Sequence, residues 1–272
     1  MKHKNISEAS AKILSLLNRK DKTWFYISEA YVLFPDMSKN QIRVQIKRMT
    51  DEGLLMRVRE GVYYIIPYEQ DSETFMPDWH LLAEPLSGRD YYIGYYSALQ
   101  IHQLITQPSL KEQIVVNKQI KPSKTEIKGV TFQFIYHDDE HFFGYKNVWI
   151  DNFNRVLCSD LEKTFVDCLY KPNYAGGIIE IAKAIFISRK KINYDILLDY
   201  VMQFNSQVVI KRLGYLLELL NIETTIIKAL QKLCSNSISV LDTEAPKGGK
   251  ILSRWNIQQN IDIKTIKDAI LT

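Results

Sequence analysis

Ala9, Ile13, Leu16 and Leu17 fall at positions i, i+4, i+7 and i+8, the apolar stripe of an amphipathic helix. Asp21-Lys22 interrupts it. Ile27, Ala30, Tyr31 and Phe34 form a second, shorter stripe that ends at Pro35-Asp36. A third helix starts at Ser38, because Ser38-x-x-Gln41 is a capping box. Its apolar face is Ile42, Ile46 and Met49, and Gly53 is the expected C-terminal stop. From Leu54 the period changes to two. Met56 and Val58 lie on one side and Arg57 and Arg59 on the other, Glu60-Gly61 supplies a turn, and Val62 to Ile66 returns as a second strand. Three helices followed by a β-hairpin within residues 1–67 predict a winged helix-turn-helix, with the third helix in a DNA major groove and the hairpin wing against the backbone.

The remainder reads differently. Residues 68–90 predict an acidic linker with a short helix around Asp78 to Leu86: no Lys or Arg lies between Gly61 and Gly88, and Pro67, Pro77 and Pro85 punctuate the stretch. Residues 91–272 predict one larger domain. Tyr91 to Tyr96 is extended, and Ser97 is expected to cap the helix that follows. Strands are expected at Ile114–Val116, Val130–Tyr136, Val148–Ile150 and Arg155–Cys158. Ser159-x-x-Glu162 reads as another capping box, opening a helix through Leu169. Helices are then expected at Ile178–Ile187, Tyr194–Phe204, Val208–Leu220 and Thr224–Leu233. A β-rich first half and a helical second half predict an α+β fold rather than a doubly wound sheet.

Charge sharpens the first segment. Residues 1–67 carry 12 Lys/Arg against 7 Asp/Glu, whereas the rest carries 23 against 24. Polyanions are drawn to such a head. On the third helix the face opposite the apolar stripe collects Lys39, Asn40, Arg43, Val44 and Lys47, with no acid before Asp51. These donors suit phosphates and base edges, and Val44 suits a thymine methyl. With Ser38 and Gln41 at the helix start and Arg57 and Arg59 on the wing, they make the expected DNA-binding set: Ser38, Lys39, Asn40, Gln41, Arg43, Val44, Lys47, Arg57 and Arg59. Arginines on a wing would meet phosphates, which position a protein without selecting sequence. A winged helix can also serve protein contact alone.

Other chemistry is sparse. The chain has no P-loop, no GxGxxG after a strand and no GxSxG elbow. Cys158, Cys168 and Cys234 lack CxxC spacing, which disfavours structural zinc and a disulfide framework and suits a reducing cytoplasm; the first two read as small buried residues. His137-Asp138-Asp139-Glu140-His141 reads as a solvated turn between strands rather than a metal site. Glu162 reads as the capping-box acid, and Asp167 as a hydrogen-bond partner of backbone or an arginine. Lys183, Arg189, Lys190 and Lys191 form a second basic cluster at a helix end. No apolar run is long enough for a transmembrane helix, and Met1 to Glu8 lacks the core of a secretory signal, so a cytoplasmic protein with no membrane partner is expected. The expectation is a DNA regulator with no cofactor, no metal and no catalytic residue. The alternative is a winged helix that delivers a metal-dependent nuclease or hydrolase, using the acids from Asp138 onward with Glu162 and Asp167.

Several blocks together resemble the AbiEi-type antitoxins of type IV toxin–antitoxin (abortive infection) systems. These are Ile46-Lys47-Arg48-Met49 through Gly53-Leu54-Leu55-Met56-Arg57 with Gly61-Val62-Tyr63; Tyr95-Tyr96-Ser97-Ala98-Leu99-Gln100-Ile101-His102; Ser159-Asp160-Leu161-Glu162-Lys163-Thr164 with Asp167; Lys171-Pro172; Ala175-Gly176-Gly177; Arg212-Leu213-Gly214-Tyr215-Leu216-Leu217; and Ser253-Arg254-Trp255-Asn256. The resemblance spans nearly the whole chain. It implies a repressor that binds inverted repeats in its own operon's promoter, two copies per operator. It also implies an antitoxin domain that neutralises a nucleotidyltransferase-like toxin without a stable complex. The family's DNA-reading positions then fall on Lys39, Asn40, Arg43, Lys47, Arg57 and Arg59.

Overall fold

A computed structural model of the chain describes residue 4 and residues 6–105, 107–246 and 248–271. It is an α+β protein that divides into two compact units: Met1–Arg89 with Ile127–Gly129, and Asp90–Glu126 with Val130–Thr272. No helix is long and apolar enough to cross a membrane among the described residues.

The first unit runs α1 (Glu8–Asn18), β1 (Trp24–Tyr26), α2 (Ile27–Leu33), α3 (Lys39–Asp51), β2 (Leu55–Arg59) and β3 (Val62–Ile65). The strands form an antiparallel sheet in the order β1-β3-β2. The three expected helices and the hairpin are present. The three-residue β1 has too few positions to show a period, and its Phe25 is fully buried against the stacked ring of Tyr63. Ile13 and Leu17 of α1, Ala30 of α2 and Ile42, Ile46 and Met49 of α3 close over Phe25, Phe34, Leu54 and Leu55 as one core. Each of these larger side chains contributes about 1.5–3 kcal/mol by leaving water. Gly53, at φ +75°, ends α3: its N–H reaches Thr50 O at 3.1 Å and the Leu54 N–H reaches Met49 O at 2.9 Å, a Schellman termination that needs a left-handed residue. Residues 68–89, expected as a linker, pack within this unit. Phe75 lies against Tyr64, and α4 (Ala83–Ser87) follows a 3-10 turn over Trp79–Leu82.

The second unit is built on a six-stranded mixed sheet. Its strands are β4 (Tyr91–Ile93), β5 (Lys111–Val116), β6 (Lys124–Ile127), β7 (Val130–Tyr136), β8 (Tyr145–Trp149) and β9 (Arg155–Ser159), in the order β6-β7-β5-β4-β9-β8. Tyr92, Val115 and Ile135 lie in register on one face. There they meet the helices α5 (Tyr95–Ile101), α6 (Leu161–Tyr170), α7 (Gly177–Ser188), α8 (Tyr194–Phe204) and α9 (Gln207–Leu219) in one apolar core. Beyond α10 (Ile227–Leu233), a small sheet of β10 (Ser239–Val240), β11 (Lys250–Leu252) and β12 (Ile257–Gln259) and a last helix α11 (Ile263–Ala269) complete the unit. β6, these three short strands and α11 lie outside the elements that the sequence pattern predicts.

Two helix starts differ from expectation. Gly94, not Ser97, caps α5; Ser97 instead bridges to β5, donating to Lys111 O and accepting from the Gln113 N–H. Asp160, not Ser159, caps α6, accepting from the Lys163 N–H at 2.9 Å. Ser159 ends β9, one residue too early to cap, and its hydroxyl meets that of Thr164. Glu162 therefore closes no box. It accepts from the Asn193 N–H at 2.7 Å and so ties α6 to the start of α8.

Candidate nucleic-acid interface

The third helix is fixed at its start by the predicted box: the Gln41 N–H reaches Ser38 Oγ at 3.3 Å and the Ser38 N–H reaches Gln41 Oε1 at 2.8 Å. Both oxygens thus accept from the helix start itself, which leaves the Ser38 O–H and the Gln41 amide nitrogen as the donors of this pair. Gln45 Nε2 donates to Ser10 Oγ at 2.8 Å and locks α3 onto α1. Ile42, Ile46 and Met49 are fully buried.

The opposite face is open. Ser38, Lys39, Asn40, Gln41, Arg43, Val44 and Lys47 are all exposed. Lys39, Arg43 and Lys47 follow one another at i, i+4 and i+8, a ridge of three cations about 6 Å apart and roughly 12 Å long. A B-DNA major groove is about 12 Å wide. Asn40 and Val44 form the adjacent row, and Val44 is 62% exposed. Among the described residues no hydrogen bond or ion pair engages the side chains of Asn40, Lys47 or Arg57. Arg48, by contrast, lies off the ridge and is neutralised by Glu52 at 2.9 Å. Tyr31 on α2 touches two ridge cations. Its hydroxyl accepts from Arg43 Nε at 3.0 Å, and its ring lies 5.7 Å from Lys39 Nζ.

The two hairpin arginines are not equivalent. Arg57 is exposed on β2 opposite Tyr63. A bulge follows it, and beyond the bulge Arg59 turns onto its own unit. Its Nε donates to Pro85 O at 2.8 Å and its guanidinium lies 5.8 Å from the Tyr26 ring centre. The carbonyl of the turn residue Gly61 accepts from the Ile27 N–H at 2.8 Å, so the hairpin tip is tied to the start of α2. The hairpin therefore offers Arg57 and, with its Nε engaged but its terminal amino groups in no hydrogen bond among the described residues, the likewise exposed Arg59.

The acids of the hydrolase alternative do not converge. His137 is not in a solvated turn: it is 2% exposed. It sits in a closed polar cluster with Tyr92, Tyr95, Lys163 and Asp167. Tyr92 donates to Asp167 Oδ2 at 2.9 Å and accepts from Lys163 Nζ at 3.0 Å. Lys163 also pairs directly with Asp167. With the Tyr92 proton committed to the carboxylate, the imidazole is fixed as its Nδ1–H form. Nδ1 lies 3.3 Å from the Tyr92 oxygen, and Nε2 accepts from Tyr95 at 2.7 Å. Burial pushes the His137 pKa down to about 4, against the pull of Asp167, so the ring is neutral at pH 7. Burial likewise lowers Lys163, against the attraction of Asp167. Asp167 thus partners a lysine and a tyrosine, not backbone or an arginine. Glu162 is engaged by Asn193, and among the described residues no three or more His, Cys, Asp or Glu are grouped to hold a metal. The one cluster signal in the sequence was Lys163-x-x-x-Asp167 at i, i+4 on a helix that is apolar around it. Tyr92, Tyr95 and His137 reach it from distant positions that no local pattern links. Cys158 and Cys168 are buried, and burial pushes both thiols well above their ordinary range.

No family model and no curated protein matches the chain. In overall fold it is similar to the crystal structure of the RV2827C protein from Mycobacterium tuberculosis, with a TM-score of 0.69 over 100% of this chain and 97% of that one. The two are 13% identical, so the likeness is one of fold alone.

Proposed function

We propose that the first unit is a winged helix-turn-helix that binds double-stranded DNA, and that the chain is a transcriptional repressor and antitoxin of the AbiEi type rather than an enzyme. The observation that carries the DNA reading is the ridge Lys39-Arg43-Lys47. It is exposed, is free of acid before Asp51, and stands on a helix capped at both ends and anchored on its other face. The element order of the first unit, with α2 and α3 followed by a hairpin, supports the fold assignment. The repressor and antitoxin roles rest on the resemblance of the sequence blocks. In this reading two copies occupy inverted repeats in the promoter of the chain's own operon, and the second unit neutralises a nucleotidyltransferase-like toxin without holding it in a stable complex.

The test is a gel-shift series on the upstream promoter across salt concentrations. If Lys39, Lys47 and Arg57 each neutralise one phosphate, log K should fall against log salt with a slope of about −3 per bound copy. Lys47→Ala should reduce that slope by about 0.9. Binding without salt dependence, or unchanged in a variant lacking both Arg43 and Lys47, would remove α3 from the interface. Co-expression with a nucleotidyltransferase-like protein from the neighbouring reading frame tests the antitoxin role by rescue of growth.

A further inference from the structure

Resting on the DNA-binding reading, we infer that Arg43 reads a guanine through its two terminal amino groups and that Tyr31 is the positioning residue that aims it. Arg43 is the middle cation of the exposed ridge, and its Nε–H is already committed to the Tyr31 hydroxyl at 3.0 Å. A guanidinium bonded through Nε is held in one plane and presents its Nη1/Nη2 end as a two-pronged donor. In the major groove only guanine offers two acceptors side by side, O6 and N7. Adenine offers one acceptor and one donor, thymine one acceptor and a methyl, cytosine a donor. The geometry of the donor therefore selects the base.

Tyr31 is suited to the task. It is half-buried on α2 and packs against the core of the unit, so its hydroxyl is anchored rather than mobile. Its ring face also lies 5.7 Å from Lys39 Nζ, which attracts the neighbouring cation. One aromatic side chain thus orders two of the three ridge cations before DNA arrives. A long side chain ordered in advance loses less freedom on binding. Val44 in the next row is placed for a thymine methyl, so each half-site should pair the guanine with a T·A step nearby.

Selection of bound duplexes from a library with a randomised core, using the full chain, tests this directly. The wild-type chain should enrich a half-site with one near-invariant guanine. Arg43→Lys keeps the charge but removes the fork. It should keep the salt slope and lose preference for that guanine by about 5- to 150-fold. Tyr31→Phe keeps the ring over Lys39 and removes only the hydroxyl. It should leave the melting temperature, the salt slope and non-specific binding unchanged, and lower the guanine preference by about 2- to 12-fold. A selected motif indifferent to Arg43→Lys overturns the base assignment while leaving DNA binding intact. Full guanine preference in Tyr31→Phe overturns the positioning role, as does a loss of specific and non-specific binding together with stability. Absence of any salt-sensitive binding by the wild-type chain removes the DNA reading and this inference with it.

Discussion

The Lys163–Asp167 pair sets up the sharpest energetic test of the second unit. Both side chains are 0% exposed and lie one turn apart on α6. Lys163 Nζ also donates to Tyr92 and lies within about 5 Å of the ring centres of Phe143 and Phe204. Lys163→Met supplies a chain of similar length that packs among these rings, but it strands the Asp167 carboxylate with only the Tyr92 hydroxyl at 2.9 Å and a neutral His137. Breaking one side of a buried pair costs about 3–5 kcal/mol. At roughly 2–4 °C per kcal/mol for a unit of this size, the melting temperature should fall by about 6–20 °C. Lys163→Met combined with Asp167→Leu removes both charges and should recover most of that loss, because a buried ion pair and a well-packed apolar pair are often of similar stability. Urea unfolding of the two single variants and the double, at matched m values, measures the coupling. A Lys163→Met variant within about 1 kcal/mol of wild type, or a double variant no better than the sum of the singles, would show that the two charges are not mutually compensated.

The buried imidazole makes stability pH-dependent. His137 titrates at about 4 in the fold against an ordinary 6.5, so the unfolded chain binds more protons between these values. Stability is full above pH 6.5 and is lost as pH falls toward 4, by about 3 kcal/mol; His137→Gln should flatten this part of the curve of unfolding free energy against pH. Gly214 lies in α9 where an added Cβ would sit 2.2 Å from the Trp255 ring, so Gly214→Ala should destabilise by roughly 1–3 kcal/mol in the same assay despite alanine's better helix propensity. The hairpin arginines should separate in stability. Arg57→Ala should lower the salt slope of DNA binding by about 0.9 with no change in melting temperature, whereas Arg59→Ala, which loses the bond to Pro85 O, should in addition cost about 1 kcal/mol of stability.

The first unit was legible because its signals are local. The Ser38/Gln41 box, the Ile42-Ile46-Met49 stripe and Gly53 each lie within a few residues of what they determine, and α3 follows from them. The period also told which side of that helix is inside, and so which residues are outside. What failed were features decided at a distance or by one residue of register. Ser97 and Ser159 have the chemistry of caps, but their hydroxyls are bonded across to Gln113 and Thr164, so the helices begin at Gly94 and Asp160. His137 looked solvated because three acids follow it, yet the strand β7 carries it inward to Tyr92 and Tyr95. Arg57 and Arg59 are both exposed, as their alternation predicts, but the bulge between them and the tie of Arg59 Nε to Pro85 O were not legible. Two separated blocks also proved to be one contact. Gly214 leaves room for Trp255, whose indole N–H donates to Glu218 at 2.7 Å, while Arg254 grips the same carboxylate with Nε at 2.8 Å from both oxygens.

The way the molecule places its cations bears on what it does. Burying a cation is costly unless partners compensate it, and the buried ones here are compensated from within. Lys163 has Asp167 and Tyr92. Arg212, 2% exposed, donates to the carbonyls of Leu169, Tyr170 and Val240 at the ends of α6 and β10, and burial lowers its pKa to about 10, against the attraction of Asp242. Such groups are explained by the fold they hold together. Surface cations with an acid nearby are likewise accounted for, as with Lys22 and Glu29 at 3.0 Å. Lys39, Arg43 and Lys47 belong to neither class. They stabilise no buried group, and three like charges at i, i+4 spacing repel one another by a few tenths of a kcal/mol per pair. A helix whose outer face served only solubility would intersperse acids, which remove that repulsion at no cost to solubility. The retained repulsion makes sense when a polyanion supplies the missing counter-charge, and the same repulsion is what DNA binding would relieve.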